Sequence, residues 1–238
     1  MKSGLTEIVM IVDESGSMGL IRDDAIGSFN SFIDGQREGP GEAQVTLATF
    51  NGHGTYKMVY VAKPIAEVEP LTKKNYQPGG STALLEAMCL TIDRVGARLS
   101  DTPEEKRPEK VIVLTITDGQ ENDSPTQGSL HLEVMETYSK EKLRAKITHQ
   151  HDKYRWEFAY LTCDEAAIQD AYSYGYHNVS NYVKSAGGMR SMSMTLGANV
   201  NAYRATGNFS MPTDIPEGTT GTTGNDTATT DTDDPTNR

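Results

Sequence analysis

The chain has 238 residues, a formal net charge of −11, 36% hydrophobic residues and two cysteines. That length suits one large domain, or one domain with a tail. The acidic balance argues against partners that need a basic face, namely nucleic acid and anionic membrane, and two cysteines are too few for a disulfide scaffold.

The start, Met1-Lys2-Ser3-Gly4, lacks the long apolar stretch and small-residue cleavage site of a signal peptide. No run of about 18 apolar residues follows, so no transmembrane helix is expected. Cys89 and Cys163 sit in apolar-periodic segments and read as buried reduced thiols, which fits a cytoplasmic setting.

Residues 6–13 (TEIVMIVD) form a nearly continuous apolar, β-branched run, the pattern of a strand covered on both faces. It ends in the turn cluster ESGSMG. Over residues 20–36, Ile21, Ala25, Ile26, Phe29, Phe32 and Ile33 recur at helical spacing until Gly39-Pro40-Gly41. Residues 43–50 and 55–62 read as two strands joined by Asn51-Gly52-His53-Gly54, an antiparallel hairpin. Residues 64–78 are irregular, broken by Pro64, Pro70 and Pro78. The turn Gly79-Gly80-Ser81-Thr82 then opens a helix to about Leu99, with Leu84, Leu85, Met88, Ile92 and Val95 on its buried face.

A charged loop over 100–108 leads to residues 110–118 (KVIVLTITD), the clearest buried strand in the chain. A long helix is expected over about 130–149, a strand over 155–163, a short helix over 165–174 capped by Asp164, a short strand over 178–183 and a last helix over 185–206. Residues 207–238 form an acidic Thr/Asp/Gly-rich tail. From 218 onward it is almost without apolar residues and cannot bury enough surface to offset its ordering entropy, so it is expected to be disordered.

Strands alternating with helices predict a Rossmann-like, doubly wound α/β domain over 1–206, with a mostly parallel sheet and helices on both faces. Ligands in such folds gather at the carboxyl ends of the strands. Two strands end there in aspartate, Asp13 and Asp118, and Thr82 starts a helix on what can be the same edge. Asp13, Ser15 and Ser17 alternate along one turn, so their oxygens can converge, while Gly16 lets the loop curl tightly. Thr82 can add a hydroxyl and Asp118 a carboxylate, directly or through water. Such an oxygen-only set suits a hard cation, Mg²⁺ first and Mn²⁺ or Ca²⁺ next.

The order Asp13-Glu14-Ser15-Gly16-Ser17, then Thr82, then Thr117-Asp118-Gly119, resembles the metal-ion-dependent adhesion site of von Willebrand factor type A (VWA) domains. The resemblance spans residues 6–182, and from Trp156 onward it is similar to small stand-alone bacterial and phage members. It implies a six-stranded sheet with one short antiparallel edge strand. It also implies direct ligation by the two serines and the threonine, with the aspartates acting partly through water. The function implied is protein binding, with a partner's Glu or Asp carboxylate taking the open metal position.

Plainer readings stand beside these. Asp13, Asp118 and Thr82 also suit helix caps, and Ser15 and Ser17 suit ordinary turn residues. Glu14 reads as a solvated side chain, and Glu121 and Asp123 as exposed loop acids. An aspartyl phosphatase would need a second aspartate where Ser15 stands, and a P-loop would need a lysine that Gly79-Gly80-Ser81-Thr82 lacks. His53, His131, His149, His151 and His177 are scattered, and no nucleophile–His–carboxylate set stands out, so the chain is read as a non-enzyme. Two alternatives remain: a structural component of a phage or multiprotein assembly, and a metal-dependent hydrolase or phosphotransferase using Glu121 or Asp123 as base.

Overall fold

Continuous apolar runs are covered on both sides, and that sets the architecture. In the computed structural model, residues 1–125, 137–212 and 214–215 are described. The first run is strand β1 (Lys2–Asp13), buried from Leu5 to its end. Its side chains alternate between two cores. Ile8, Met10 and Val12 face Phe29, Phe32, Ile33, Met189 and Leu196. Val9 and Ile11 face Leu84, Leu85, Met88, Ile92 and Val95, the helix face expected from spacing.

A 3₁₀ turn (Gly16–Ile21) leads from β1 into helix α1 (Arg22–Arg37). Strands β2 (Glu42–Phe50) and β3 (Lys57–Pro64) form the antiparallel hairpin. Helix α2 (Leu84–Asp101) and strand β4 (Pro108–Ile116) follow. The chain continues through α3 (Lys140–Tyr154), β5 (Glu157–Thr162), α4 (Glu165–Ser173), β6 (Asn178–Tyr182) and α5 (Ala186–Thr206).

The sheet order is β3-β2-β1-β4-β5-β6, with every pairing parallel except β2–β3. This is the expected doubly wound α/β sheet with an antiparallel edge strand. A two-residue strand β7 (Asp214–Ile215) adds to it in parallel beside β6. Beyond the domain boundary expected at 206, Phe209 and Met211 also pack against the core, Phe209 edge-on to Tyr203 at 6.0 Å. The rest of the expected tail lies outside the described residues.

The helix expected from 130 begins, among the described residues, at Lys140, where the Ser139 hydroxyl accepts the Lys142 amide at 3.2 Å. Residues 126–136 lie outside those described. The helix runs past 149 because its polar sequence holds no breaker, and it ends where Arg155 turns left-handed at φ 57°. Neither cysteine is in a disulfide, Cys89 being buried and Cys163 half-buried. Among the described residues no helix is long and apolar enough to cross a membrane.

Candidate metal centre

Register places the two aspartates. Val12 of β1 pairs beside Ile116 of β4, and Asp13 beside Phe50 of β2. Both β1 and β4 therefore run out at the same rim, with Asp13 next to the Thr117-Asp118 step. The Thr117 hydroxyl donates to Asp13 Oδ2 at 2.6 Å, and the Ser15 amide donates to Oδ1 at 2.7 Å. The Ser17 hydroxyl donates to Asp118 Oδ1 at 2.6 Å, and the Ser15 and Ser17 hydroxyl oxygens lie 3.2 Å apart. Asp13, Ser15, Ser17 and Asp118 thus form one continuous oxygen-rich cluster. All but Ser17 are buried.

The threonine turn is fastened to both of the other loops. The Gly16 amide donates to Gly80 O at 3.0 Å, and the Gly79 amide donates to Glu14 O at 2.9 Å. A Cβ on Gly16 would lie 3.2 Å from Gly80 O, so this close approach favours glycine. Gly80 is left-handed at φ +75°. On the far side, the Thr82 amide donates to Asn122 Oδ1 at 2.8 Å, and Thr82 O accepts from the Asn122 and Asp123 amides at 3.0 and 3.2 Å. Thr82 itself is buried and is bonded through its backbone to the loop that follows Asp118, while Gly79 and Gly80 before it bond the Asp13 turn.

Asp13 is fully buried, and its hydrogen bonds come from neutral donors. Burial pushes its carboxyl up to about 6. The Thr117 and Ser15 hydrogen bonds pull against that rise, and the Asp118 charge adds to it. Asp118 Oδ2 receives the Lys184 ammonium at 2.6 Å. Tyr76, itself fully buried, donates its hydroxyl to Asp13 O at 2.6 Å and fixes the end of β1 from outside the sheet.

Three expectations change here. Glu14 is not solvated. It is 4% exposed, pairs with Lys57 Nζ at 2.8 Å and accepts the Gln77 amide, because the irregular 64–78 segment folds over it. Glu121 and Asp123 are not exposed acids but half-buried braces. Glu121 accepts from the Leu85, Asp123 and Ser124 amides, at 2.7 to 2.8 Å, and from the Ser124 hydroxyl at 2.7 Å. Asp123 accepts the His53 amide at 2.7 Å. Nor does Thr82 cap α2 with its side chain. The helix's N-cap residue is Ala83, and the orphan amides of its first turn are met from the 121–124 loop, where Ser124 Oγ also accepts the Glu86 amide.

Sequence reasoning missed Lys184 and Tyr76. The rim rule that found Asp13 and Asp118 could have found Lys184, which follows β6 at the same edge; no local signal marks Tyr76. Among the described residues, no three His, Cys, Asp or Glu side chains converge as a metal cage. A cation at this rim would draw on hydroxyl oxygens beside the two carboxylates. Two carboxylates joined through serine hydroxyls are the donor chemistry of a hard ion that keeps some of its water.

No family model matches the chain, and no curated protein matches it in sequence. Solved structures do match. The pilus adhesin SpaC from Lactobacillus rhamnosus GG in its open conformation aligns at TM-score 0.59 and 13% identity. The alignment covers 84% of this chain and 30% of that one. A von Willebrand factor type A protein from Catenulispora acidiphila aligns at TM-score 0.52 and 14% identity, covering 82% of this chain and 42% of that one. The chain spans less than half the length of either. Its fold is that of a von Willebrand factor type A domain.

Proposed function

We propose that this chain is a divalent-metal-dependent protein-binding module. Asp13, Ser15, Ser17, Thr82 and Asp118 would hold Mg²⁺, with Mn²⁺ or Ca²⁺ as substitutes, and one position would be left for an acidic side chain of a partner protein. The observation that carries this reading is the bridge from Asp13 through Ser15 and Ser17 to Asp118, built from two strand ends and one turn. A bound cation would supply a Lewis-acidic face to an incoming anionic oxygen.

The chain's own residues prepare that arrangement. Thr117 and the Ser15 amide aim the Asp13 carboxylate, and the Gly16–Gly80 bond sets the threonine turn against it. A rise in the Asp13 pKa from 3.8 to about 6 represents about 3 kcal/mol against its charged form. Two positive charges at about 4 Å are worth roughly 8 kcal/mol to a carboxylate at an effective dielectric near 20, an attraction larger than that net penalty.

The hydrolase alternative is weakened by what its two candidate bases are doing. Glu121 and Asp123 are engaged as acceptors for backbone amides. The VWA-fold neighbours carrying the comparison include a pilus adhesin, which accords with a binding role.

Isothermal titration with Mg²⁺ and with Mn²⁺ tests the proposal. The unaltered protein is expected to bind, while Asp13→Ala and Ser15→Ala lose the binding heat and keep a native circular dichroism spectrum. Heats unchanged in both variants would eliminate the site.

A further inference from the structure

Lys184 stands at the rim with a job of its own. It follows β6 by two residues and precedes α5 by two. Its ammonium lies 2.6 Å from Asp118 Oδ2, whose side chain is wholly buried, while the lysine side chain is 33% exposed. The other Asp118 oxygen takes the Ser17 hydroxyl. The ion pair therefore joins the same carboxylate that faces the serine turn.

The backbone that carries Lys184 is held in place at the rim. Tyr182, 1% exposed, donates its hydroxyl to Thr117 O at 3.2 Å and ties the end of β6 to the β4 exit. The Ser185 amide donates to Val183 O at 2.8 Å, and the Ser185 hydroxyl accepts the Gly188 amide at 3.1 Å as the cap of α5. A Cβ on Gly188 would fall 2.0 Å from Val183 O, so the turn sits hard against the helix start.

We propose that Lys184 is a built-in monovalent competitor that sets the divalent-metal affinity of the site, by holding Asp118 through the ammonium at the rim. This rests on the metal-binding reading above. A cation that recruits Asp118 must either displace the ammonium or share the carboxylate with it. Displacement forfeits the ion pair, and sharing sets like charges against each other at short range in a partly buried setting, where the effective dielectric is well below that of water. The lysine thus weakens metal binding. In the metal-free protein it also stabilises the fold, by neutralising a buried carboxylate that would otherwise be uncompensated.

The opposite hypothesis is that Lys184 only positions Asp118 and so supports metal binding. The two predict opposite signs, and titration calorimetry with MgCl₂ and with MnCl₂ at neutral pH separates them. For Lys184→Met the Kd is expected to fall about tenfold or more, the change that 1.4 kcal/mol of relieved repulsion produces. Lys184→Arg, which keeps the charge, should stay near the unaltered protein. In chelator, Lys184→Met should melt below the unaltered protein, and saturating Mg²⁺ should close the gap. Lys184→Gln provides a second neutral variant should the methionine form fold poorly.

An unaltered protein that binds metal, with neutral variants that bind equally or more weakly, would overturn the inference and leave the metal site standing. Absence of heat from the unaltered protein and from both neutral variants would overturn the metal reading, and this inference with it.

Discussion

Strand β1 carries two fully buried carboxylates, Glu7 midway along it and Asp13 at its end, and the fold treats them in opposite ways. Glu7 lies within the ladder and has a counter-ion. Its Oε1 takes the Arg98 guanidinium and the Thr46 hydroxyl, the latter at 2.7 Å, and its Oε2 takes the Gln44 amide group at 3.0 Å. Asp13 lies where the ladder ends. It is hydrogen-bonded by the Ser15 amide and the Thr117 hydroxyl, both neutral, and the nearby Asp118 charge adds to the cost of ionising it. One carboxylate is neutralised by the sequence itself. The other is oriented and desolvated, but its charge is left to be met by something else, which is what a ligand site requires.

That contrast predicts mutations of opposite sign. Arg98→Met leaves Glu7 charged and buried without its partner, and it should cost about 3–5 kcal/mol of stability in urea unfolding, with or without Mg²⁺. Asp13→Asn removes a charge that the metal-free fold disfavours. In chelator it should raise stability by about 1–3 kcal/mol at neutral pH, while abolishing the gain that Mg²⁺ gives the unaltered protein. If Asp13→Asn destabilises in chelator as Arg98→Met does, the two carboxylates are both structural and the contrast fails.

The pH dependence sharpens the same point. Asp13 has its carboxyl raised from 3.8 to about 6 by folding, so between those values the native state binds more protons than the unfolded chain. Stability from this group is greatest below about 4, falls as pH rises to about 6, and is flat above. The metal-free protein should therefore gain up to about 3 kcal/mol from this group on acidification from neutral pH towards 4. Saturating Mg²⁺ should remove that gain, because the ion and the proton compete for one carboxylate. Chemical denaturation in chelator against pH, with Asp13→Asn as the flat reference, measures it.

The readable parts of this molecule were those set by local pattern. Continuous apolar runs gave β1 and β4, helical spacing gave the buried face of α2, and the rule that ligands collect at strand ends placed Asp13 and Asp118 on one rim. The serine spacing of 15 and 17 could be read because a turn imposes it. Hidden were the residues whose roles depend on distant segments meeting. Glu14 is buried only because Lys57 and the Gln77 amide close on it from β3 and the following loop. Glu121 and Ser124 look like loop residues until α2 is seen to lack a cap of its own and to take theirs. For Lys184 the strand-end rule can supply the rim, but its pairing with Asp118 emerges only from the β4-β5-β6 order.

The smallest effect compares backbone rather than charge. Gly4 and Gly80 are both left-handed, at φ +73° and +75°, and flank the two ends of the contrast. An added Cβ at Gly4 meets nothing within 4 Å, and at Gly80 it makes only ordinary contact with the Asn51 side chain at 3.6 Å. Alanine at either position therefore pays mainly the conformational term, about 1 kcal/mol or somewhat more, and the two melting temperatures should fall by similar amounts. Metal affinity should separate them. Gly80 O accepts the Gly16 amide, so relief of strain at Gly80→Ala moves the turn that carries Ser15 and Ser17, and the Mg²⁺ Kd should weaken several-fold. Gly4→Ala sits at the Glu7 end, where no loop reports to the rim, and its Kd should match that of the unaltered protein. Equal weakening in both would mean that metal binding follows global stability; weakening at Gly80 alone would tie it to the geometry of one turn.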